Sequence, residues 1–522
     1  MINSNKADLT KIRGLYVQSS MEHPALFELP YIRGGMINMQ WRDLDKGNGQ
    51  YDFSRLDERL KLFHDHCLFS SIQINGNRRP SWLFEKIPYN PAIWETQTKD
   101  TQGTLMYWHP NYIKAYFDLL DALRGYLETS PYINNVLGIR LNFNAVGTEQ
   151  LVIPVEHVPL TNWIVPEGVK SVEEWTPQII LDYKALVLET YVEKFSHILL
   201  IFIRNNVEEE LRARYIKDFE NGKFGWFHTS SEMEPRSKRE SEYKYLTFME
   251  YCRSGKAIGY TQAFANAWGV HGVKKDPRWC SPQQWAYWRL LSDLNMGISC
   301  IVINKKDLMI ATRGYDLDND SVNLELQKEF EAAMKFAARY VGQHVEPTKA
   351  LGAFVAFRQR EPENGILPHA ELNEDYTFLA LRLPDETKGV TRIGPDSQRF
   401  GAWARKVEEK QSIRIALHPE LVESMMGTKT LLRVYYLNVG TTAWQVRWGA
   451  KTVDVTNTDS GRFEIVEVEV IPSSPVNDRE TDSLFKVGMI KKANHDPRLA
   501  GDIIMTSTRG SNIFHMVEVI KK

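Results

Sequence analysis

Eight short β-rich runs, alternating with longer amphipathic segments, occupy the first 345 or so of the 522 residues and limit the folds open to this chain. The runs fall at residues 12–18, 32–40, 69–75, 136–142, 198–203, 224–228, 257–261 and 298–303. Strands separated by helices pair in parallel, because a parallel neighbour needs a crossover long enough to hold a helix. The intervening segments read as such helices. One runs to residue 66 from Ser54 as cap, with Leu56, Leu60 and Phe63 on one face, and another covers 112–126 after Asn111 as cap. Helices at 177–195, 208–219, 245–252, 282–295 and 323–340 complete the set, with Pro177 and Pro282 in first turns, where proline is tolerated. Eight strands with interleaved helices predict a (β/α)8 TIM barrel. The competing architecture, an open doubly wound sheet, wants a glycine-rich phosphate turn after the first strand, and Tyr16-Val17-Gln18-Ser19-Ser20 is not one.

Beyond residue 345 the texture changes. Alternating runs at 431–437, 444–448, 463–470 and 503–506 are separated by Gly, Asn, Asp and Ser clusters, which predicts a C-terminal antiparallel β-sandwich. The expected domains are 1–345 and 346–522; the Pro-, Glu- and Asp-rich stretch 358–405 has no clear place in the second.

A formal net charge of -2 gives no support for a general nucleic-acid or membrane-surface binder. No stretch is long and apolar enough to span a bilayer, and the first residues lack the apolar core of a signal peptide, so a soluble periplasmic or cytoplasmic protein is expected. Cys67, Cys252, Cys280 and Cys300 are widely spaced beside apolar runs and read as buried free thiols. No metal-ligand spacing or phosphate loop is present, so no metal or cofactor is expected. The 14 Trp, 22 Tyr and 23 Phe residues fit a large core or platforms for sugar rings. A homo-oligomer is compatible with all of this.

In a barrel of parallel strands, chemistry is done where the strands end. The run 135–149 is an apolar strand passing into a Gly147-Thr148 turn, with Glu149 as a carboxylate at the mouth. Protonating a glycosidic oxygen requires a carboxylic acid so placed. Other strand ends deliver Trp41 and Arg42; Asn75, Arg78 and Arg79; Asn142 and Asn144; His228; Gln262, Asn266 and Trp268; and Lys305. Amides, guanidinium groups, an imidazole and indoles suit a polyhydroxylated ligand. Singly, each has a plainer reading: Trp41 and Trp268 as core, Arg78 and Arg79 as a solvated loop face, His228 as a structural histidine.

The segment 34–53, a strand running into Trp41-Arg42 and then Gly49-Gln50-Tyr51-Asp52-Phe53, resembles the opening W-x-x-x-E-x-x-x-G-x-Y-D-F of clan A glycoside hydrolases, though without its Glu. In texture the chain is most similar to family 42 β-galactosidases and to enzymes of marine galactan breakdown. That resemblance implies a general acid/base after the fourth strand, which Glu149 matches, with Thr148 before it where Asn is usual. Asn142 or Asn144 would then supply the missing hydrogen bond to the sugar. It also implies a nucleophile after the seventh strand, where this chain has Gln262. An amide is a poor attacker and cannot balance an oxocarbenium-like charge. Gln262 is an engineered Glu→Gln change, or the chain is a natural sugar-binding pseudo-enzyme, or the partner is another carboxylate such as Glu232 or Glu234. The expectation is a retaining exo-glycosidase on β-linked oligosaccharides, with Arg42, Arg78, Arg79, Lys305 and Lys306 favouring sulfated galactans of the carrageenan or agar kind. A neutral-substrate β-galactosidase or agarase is the alternative.

Overall fold

A computed structural model describes residues 9–18, 23–95, 99, 102–204, 224–229, 248–262, 266–268, 281–316, 320–358, 375–487 and 498–522. Eight strands close into a barrel: β1 (Gly14–Gln18), β2 (Ile32–Gln40), β3 (Phe69–Asn75), β4 (Val136–Arg140), β5 (Leu200–Arg204), β6 (Phe224–Thr229), β7 (Ile258–Gln262) and β8 (Cys300–Ile303). They stand in chain order around the ring, with β8 returning to β1. The best-defined register, β2 on β3, runs from Gly34 opposite Phe69 to Gln40 opposite Asn75. Two glycines make close strand approach feasible: a Cβ at Gly34 would lie 2.1 Å from the Phe69 carbonyl, and one at Gly138 2.6 Å from that of Leu200.

The described crossover helices are α1 (Ser54–Asp65), α2 (Pro110–Thr129), α3 (Pro177–Phe195), α4 (Phe248–Arg253), α5 (Pro282–Asn295), α6 (Lys305–Arg313) and α7 (Leu324–Tyr340). Two caps differ from expectation. At α1 the cap position falls to Phe53, which makes no side-chain bond, and Asp52 Oδ1 accepts from the Ser54 amide (3.0 Å) and hydroxyl (2.6 Å). At α2 the Nδ1 of His109 accepts from the Asn111 amide at 3.1 Å, so the imidazole does the work expected of Asn111. Helix α6 was not expected; Asn304 caps it by accepting from Lys306 N at 3.0 Å. The helix expected at 208–219 lies outside the described residues, as does Cys280. Cys252 and Cys300 are buried, but Cys67 is exposed, at a φ of 55°. Among the described residues no helix is long and apolar enough to cross a membrane.

The chain forms two compact units, Met1–Ile12 with Tyr16–Phe227, and Arg13–Leu15 with His228–Lys522. The second contains the C-terminal antiparallel strands in two sheets. These strands are β9 (Gly352–Ala356), β10 (Tyr376–Phe378), β11 (Ala380–Arg382), β12 (Lys388–Thr391), β13 (Trp403–Val407), β14 (Ser412–Leu417), β15 (Thr430–Asn438), β16 (Ala443–Trp448), β17 (Lys451–Thr456), β18 (Arg462–Val470), β19 (Ile503–Arg509) and β20 (Asn512–Lys521). One sheet has the order β10-β9-β20-β13-β12, with β15 joining β20 to β18; the other has β11-β14-β19-β16-β17. The stretch without a clear place in the sequence supplies β10 to β13.

Within this unit α5 is buried along its length, and Trp288 meets Trp403 edge-on at 4.9 Å. Some buried polar groups are closely matched. Glu518, wholly buried, accepts from Tyr340 Oη (2.6 Å), Tyr435 Oη (2.7 Å) and Arg339 Nη1 (2.9 Å). His515 lies 3.0 Å from Tyr287 Oη through Nε2 and 3.4 Å from the Trp403 carbonyl through Nδ1, which suits a neutral ring that donates from Nδ1 and accepts at Nε2. Burial pushes its pKa down to about 3. The unfolded ring protonates near 6.5 and the folded ring does not, so this site's contribution to stability is lost as pH falls below that value. The stability lost in His515→Phe is therefore expected to shrink by about 2 kcal/mol between pH 7 and pH 5. Urea unfolding of both proteins at the two pH values checks this, and an unchanged difference would contradict it.

Candidate active site

The loop after β4 is buried, and buried backbone must find hydrogen-bond partners. Residues 141–148 are all buried. Part of the pairing is internal: Thr148 O accepts from Phe143 N (3.1 Å) and Asn144 N (3.0 Å), and Gln150 O accepts from Val146 N (2.9 Å). The rest comes from side chains of the same unit. Tyr116 donates to Asn142 O at 2.8 Å, Tyr183 to Phe143 O at 2.9 Å, and Tyr112 to Asn144 O. The Nη2 of Arg79 reaches the carbonyls of Asn144 (3.2 Å), Ala145 and Val146 (3.4 Å). Asn144, held at a φ of 50°, accepts from Gly76 N at 2.7 Å and donates to Ile74 O at 3.1 Å, lacing the loop to the end of β3.

This framework presents Glu149. Its side chain is 9 % exposed and forms an ion pair with Arg140, itself 8 % exposed at the end of β4. The Arg140 guanidinium lies 4.0 Å from the Phe227 ring centroid, a cation–π contact. Thr148, just before the acid, donates to Asn77 Oδ1 at 2.5 Å. The charged neighbour the structure gives Glu149 is a cation, Arg140.

The other sequence candidates divide. Arg42 and Arg78 are exposed and adjacent, the Arg42 amide donating to the Arg78 carbonyl at 3.2 Å. Asn75 is half-buried and accepts from Gln73 Nε2 (2.5 Å) and Asn142 Nδ2 (3.3 Å). Asn142 Nδ2 also bonds Ile74 O at 2.6 Å, while its buried Oδ1 has no hydrogen-bond partner. Three expectations are corrected. Trp41 is fully buried between Tyr112 and Tyr116, its indole donating to Asp45 Oδ2 at 3.0 Å, so it is core and not a sugar platform. Arg79 is 3 % exposed and spends its donors on the loop. Asn144 spends its amide on the scaffold, which leaves Asn142 as the one of the pair with an open acceptor.

Around this site the loops after β3 and β4 interlock through aromatic rings. Trp94 stacks on His157 at 4.6 Å, Trp108 meets Trp163 at 5.2 Å, and Trp175 donates to Tyr107 Oη at 2.8 Å.

In the second unit, β7 ends on Gln262; its side chain, that of His228 in β6, and Glu232 and Glu234 lie outside the described residues. Asn266 Oδ1 accepts from Trp268 N at 3.1 Å, and Trp268 stacks on Phe330 of α7 at 5.5 Å, so one face of its ring is covered. Lys305 begins α6, half-buried. Sequence reasoning passed over Asp307 beside it. This carboxyl is 1 % exposed, accepts from Ala267 N at 3.1 Å, and is pushed up to about 6, chiefly by burial. It ties the loop after β7 to α6. Arg140 was also passed over, although an arginine inside an apolar strand signals a paired partner.

No protein-family model matches the sequence, and no curated protein does. Solved structures similar to the chain include the catalytic domain of β-amylase from Paenibacillus polymyxa, at 10 % identity over 62 % of this chain and 97 % of that one, with a TM-score of 0.37. They also include the β-galactosidase from Rahnella sp. R3, at 10 % identity over 63 % of this chain and 56 % of that one, with a TM-score of 0.36.

Removing Arg140 takes a cationic partner from the buried Glu149 carboxylate. Arg140→Met is expected to cost about 3–5 kcal/mol of stability, and adding Glu149→Gln to recover part of it. Urea unfolding of the two singles and the double checks this; additive losses would dissolve the pair as an energetic unit.

Proposed function

We propose that the chain is built as a retaining, exo-acting glycoside hydrolase for β-linked, sulfated galactan oligosaccharides such as carrageenan fragments. The chemistry is assigned to residues 1–345, and the antiparallel strands of 346–522 are given no part in it. The observation that carries the reading is Glu149, held by Arg140 beyond β4 of a closed parallel barrel, on a loop pinned by three tyrosines and Arg79. Such strand ends are where barrels of this type place their chemistry. Glu149 would protonate the leaving oxygen and later take a proton from water. Its bond to Arg140 must loosen for the first step, because an ion-paired carboxylate has no proton to give. A glutamate at 262 would attack the anomeric carbon, from about 5 Å in a retaining pair. With Gln262 this chain lacks that nucleophile.

Two further observations shape the substrate. Exposed Arg42 and Arg78 offer guanidinium donors to sulfate. The interlocked loops of Trp94, Trp108, Trp163 and Trp175 favour a walled pocket and hence attack at a chain end. The amide at 262 and the Arg140–Glu149 ion pair favour a second reading, in which the chain binds oligosaccharide without cleaving it.

Gln262→Glu is expected to release a product of retained anomeric configuration from a β-linked galactan oligosaccharide, followed by NMR. An inverted product would overturn the retaining assignment; tight binding without turnover would leave the second reading standing. Arg78→Ala is expected to weaken binding of sulfated oligosaccharides about tenfold, or about 1.4 kcal/mol, and to spare desulfated ones. Equal losses on both would remove sulfate from the proposal.

A further inference from the structure

The second unit contains a cavity of about 200 Å³ that the proposed chemistry does not use. It is lined by residues that follow the barrel helices α4 and α7, where the chain turns back toward the beginnings of the strands, and by the C-terminal region. Ser254 comes after α4 and His344 after α7. Leu379 joins β10 to β11, His418 precedes the helix Pro419–Met425, and Asp482 and Phe485 stand on the helix Asp482–Val487.

The cavity wall holds buried polar atoms without hydrogen bonds. His344 is 6 % exposed, its ring edge-on to Phe378 at 4.4 Å, and it meets the Thr377 backbone without closing a well-formed hydrogen bond. His418 is 2 % exposed and packs on Phe485 at 5.0 Å. Its Nε2 stands 3.4 Å from Asp482 Oδ1, while its Nδ1 and that carboxylate oxygen are without hydrogen bonds. Buried polar atoms in this state are costly, and here four of them border one space that a ligand could enter and pair. Leu379 adds a second sign of cost. Its φ of 49° is rare for a bulky residue, and its carbonyl accepts from His418 N at 3.0 Å, which fixes the imidazole over the cavity.

The lining also selects the chemistry of the ligand. Burial holds both imidazoles neutral, that of His418 with its pKa down at about 4, so each ring offers one donor and one acceptor. Hydroxyl groups answer that pattern, since each can both give and accept. Lys486 shares the lining with two carboxylates, Asp482 and Glu420, so it adds no surplus of positive charge. The Arg253 guanidinium is committed to the carbonyls of Asn295 (2.8 Å), Phe485 (3.0 Å) and Thr377 (3.1 Å). An anion would therefore find little free positive charge. Phe485 and Leu379 supply apolar surface for a ring face. Among the described residues no His, Cys, Asp and Glu cluster is arranged to hold a metal ion. The volume lies below the roughly 300–1,000 Å³ of sites for drug-sized ligands, which suits a single ring.

We propose that this cavity binds one uncharged polyhydroxylated ring, a free monosaccharide or the terminal unit of an oligosaccharide, through His344, His418 and Asp482. The site is separate from Glu149 and stands whether or not the chain hydrolyses a glycoside. Crystals of the full chain soaked in methyl β-D-galactoside or D-glucose are expected to show one pyranose within hydrogen-bond reach of both imidazoles. Val345→Trp, which fills the cavity from its half-buried rim, is expected to abolish that density and to leave the melting temperature near that of the wild type. His418→Phe is expected to weaken calorimetric binding at this site at least about tenfold. Ordered water alone in the cavity at saturating sugar would overturn the proposal. So would inorganic phosphate occupying it where sugar does not, or sugar binding there unchanged by Val345→Trp. Should both variants fail to fold, the wild-type soak alone decides.

Discussion

A loop that turns inward must find a partner for every backbone group it takes out of water, and the loop after β4 shows how much of a structure that demand can recruit. Its carbonyls are answered by Tyr112 and Tyr116 from α2, Tyr183 from α3 and the guanidinium of Arg79. Each bond adds only about 1 kcal/mol net, but an unanswered buried carbonyl costs more than that. The two helices and the turn after β3 are thereby committed to one arrangement, and Glu149 is carried at its end. A carboxylate positioned this way is held by the scaffold and not by its own side-chain preferences.

The same accounting separates scaffold from site. Arg79, Asn144 and Trp41 are polar or aromatic residues at strand ends, which is what made them attractive as ligand contacts. Their hydrogen bonds are spent inside the protein. Arg42, Arg78 and the open oxygen of Asn142 are not spent in this way, and they remain the better candidates for contact with a sugar. Trp41 also clarifies the resemblance at the second strand. Asp45 stands four residues after it, where the quoted opening has Glu, and accepts the indole N–H. The position keeps its carboxylate with one methylene fewer.

In the second unit the buried helix α5 and the network around Glu518 serve the same purpose. Trp288, Tyr287 and His515 pack together, and Glu518 gathers two tyrosine hydroxyls and an arginine. Such pairing makes a buried charge tolerable and gives the sheets a defined register on β20. The cavity of His344 and His418 does the reverse, gathering several open polar atoms around one space.

The barrel was legible in the sequence because parallel strands buried on both faces read as short apolar runs, and their spacing by helices leaves few other topologies. Helix boundaries set by Pro177, Pro282 and Asn323 were legible for the same local reasons, and so was the carboxylate beyond β4. Helix α6 was missed because it is short and begins with two lysines at the end that a helix dipole makes unfavourable for cations. The bonds of Asp52 and His109 at their helix starts depended on which side chain turned back, which composition does not reveal. Sequence determined that Glu149 would stand after the fourth strand and that residue 262 would end the seventh as an amide. Only the tertiary structure decided that Arg140 would be the partner of Glu149, that Arg79 and Asn144 would serve the loop, and that two histidines 74 positions apart would share one cavity. Hydrogen bonds between distant segments are chosen by the packing that brings them together, and no local pattern records that choice.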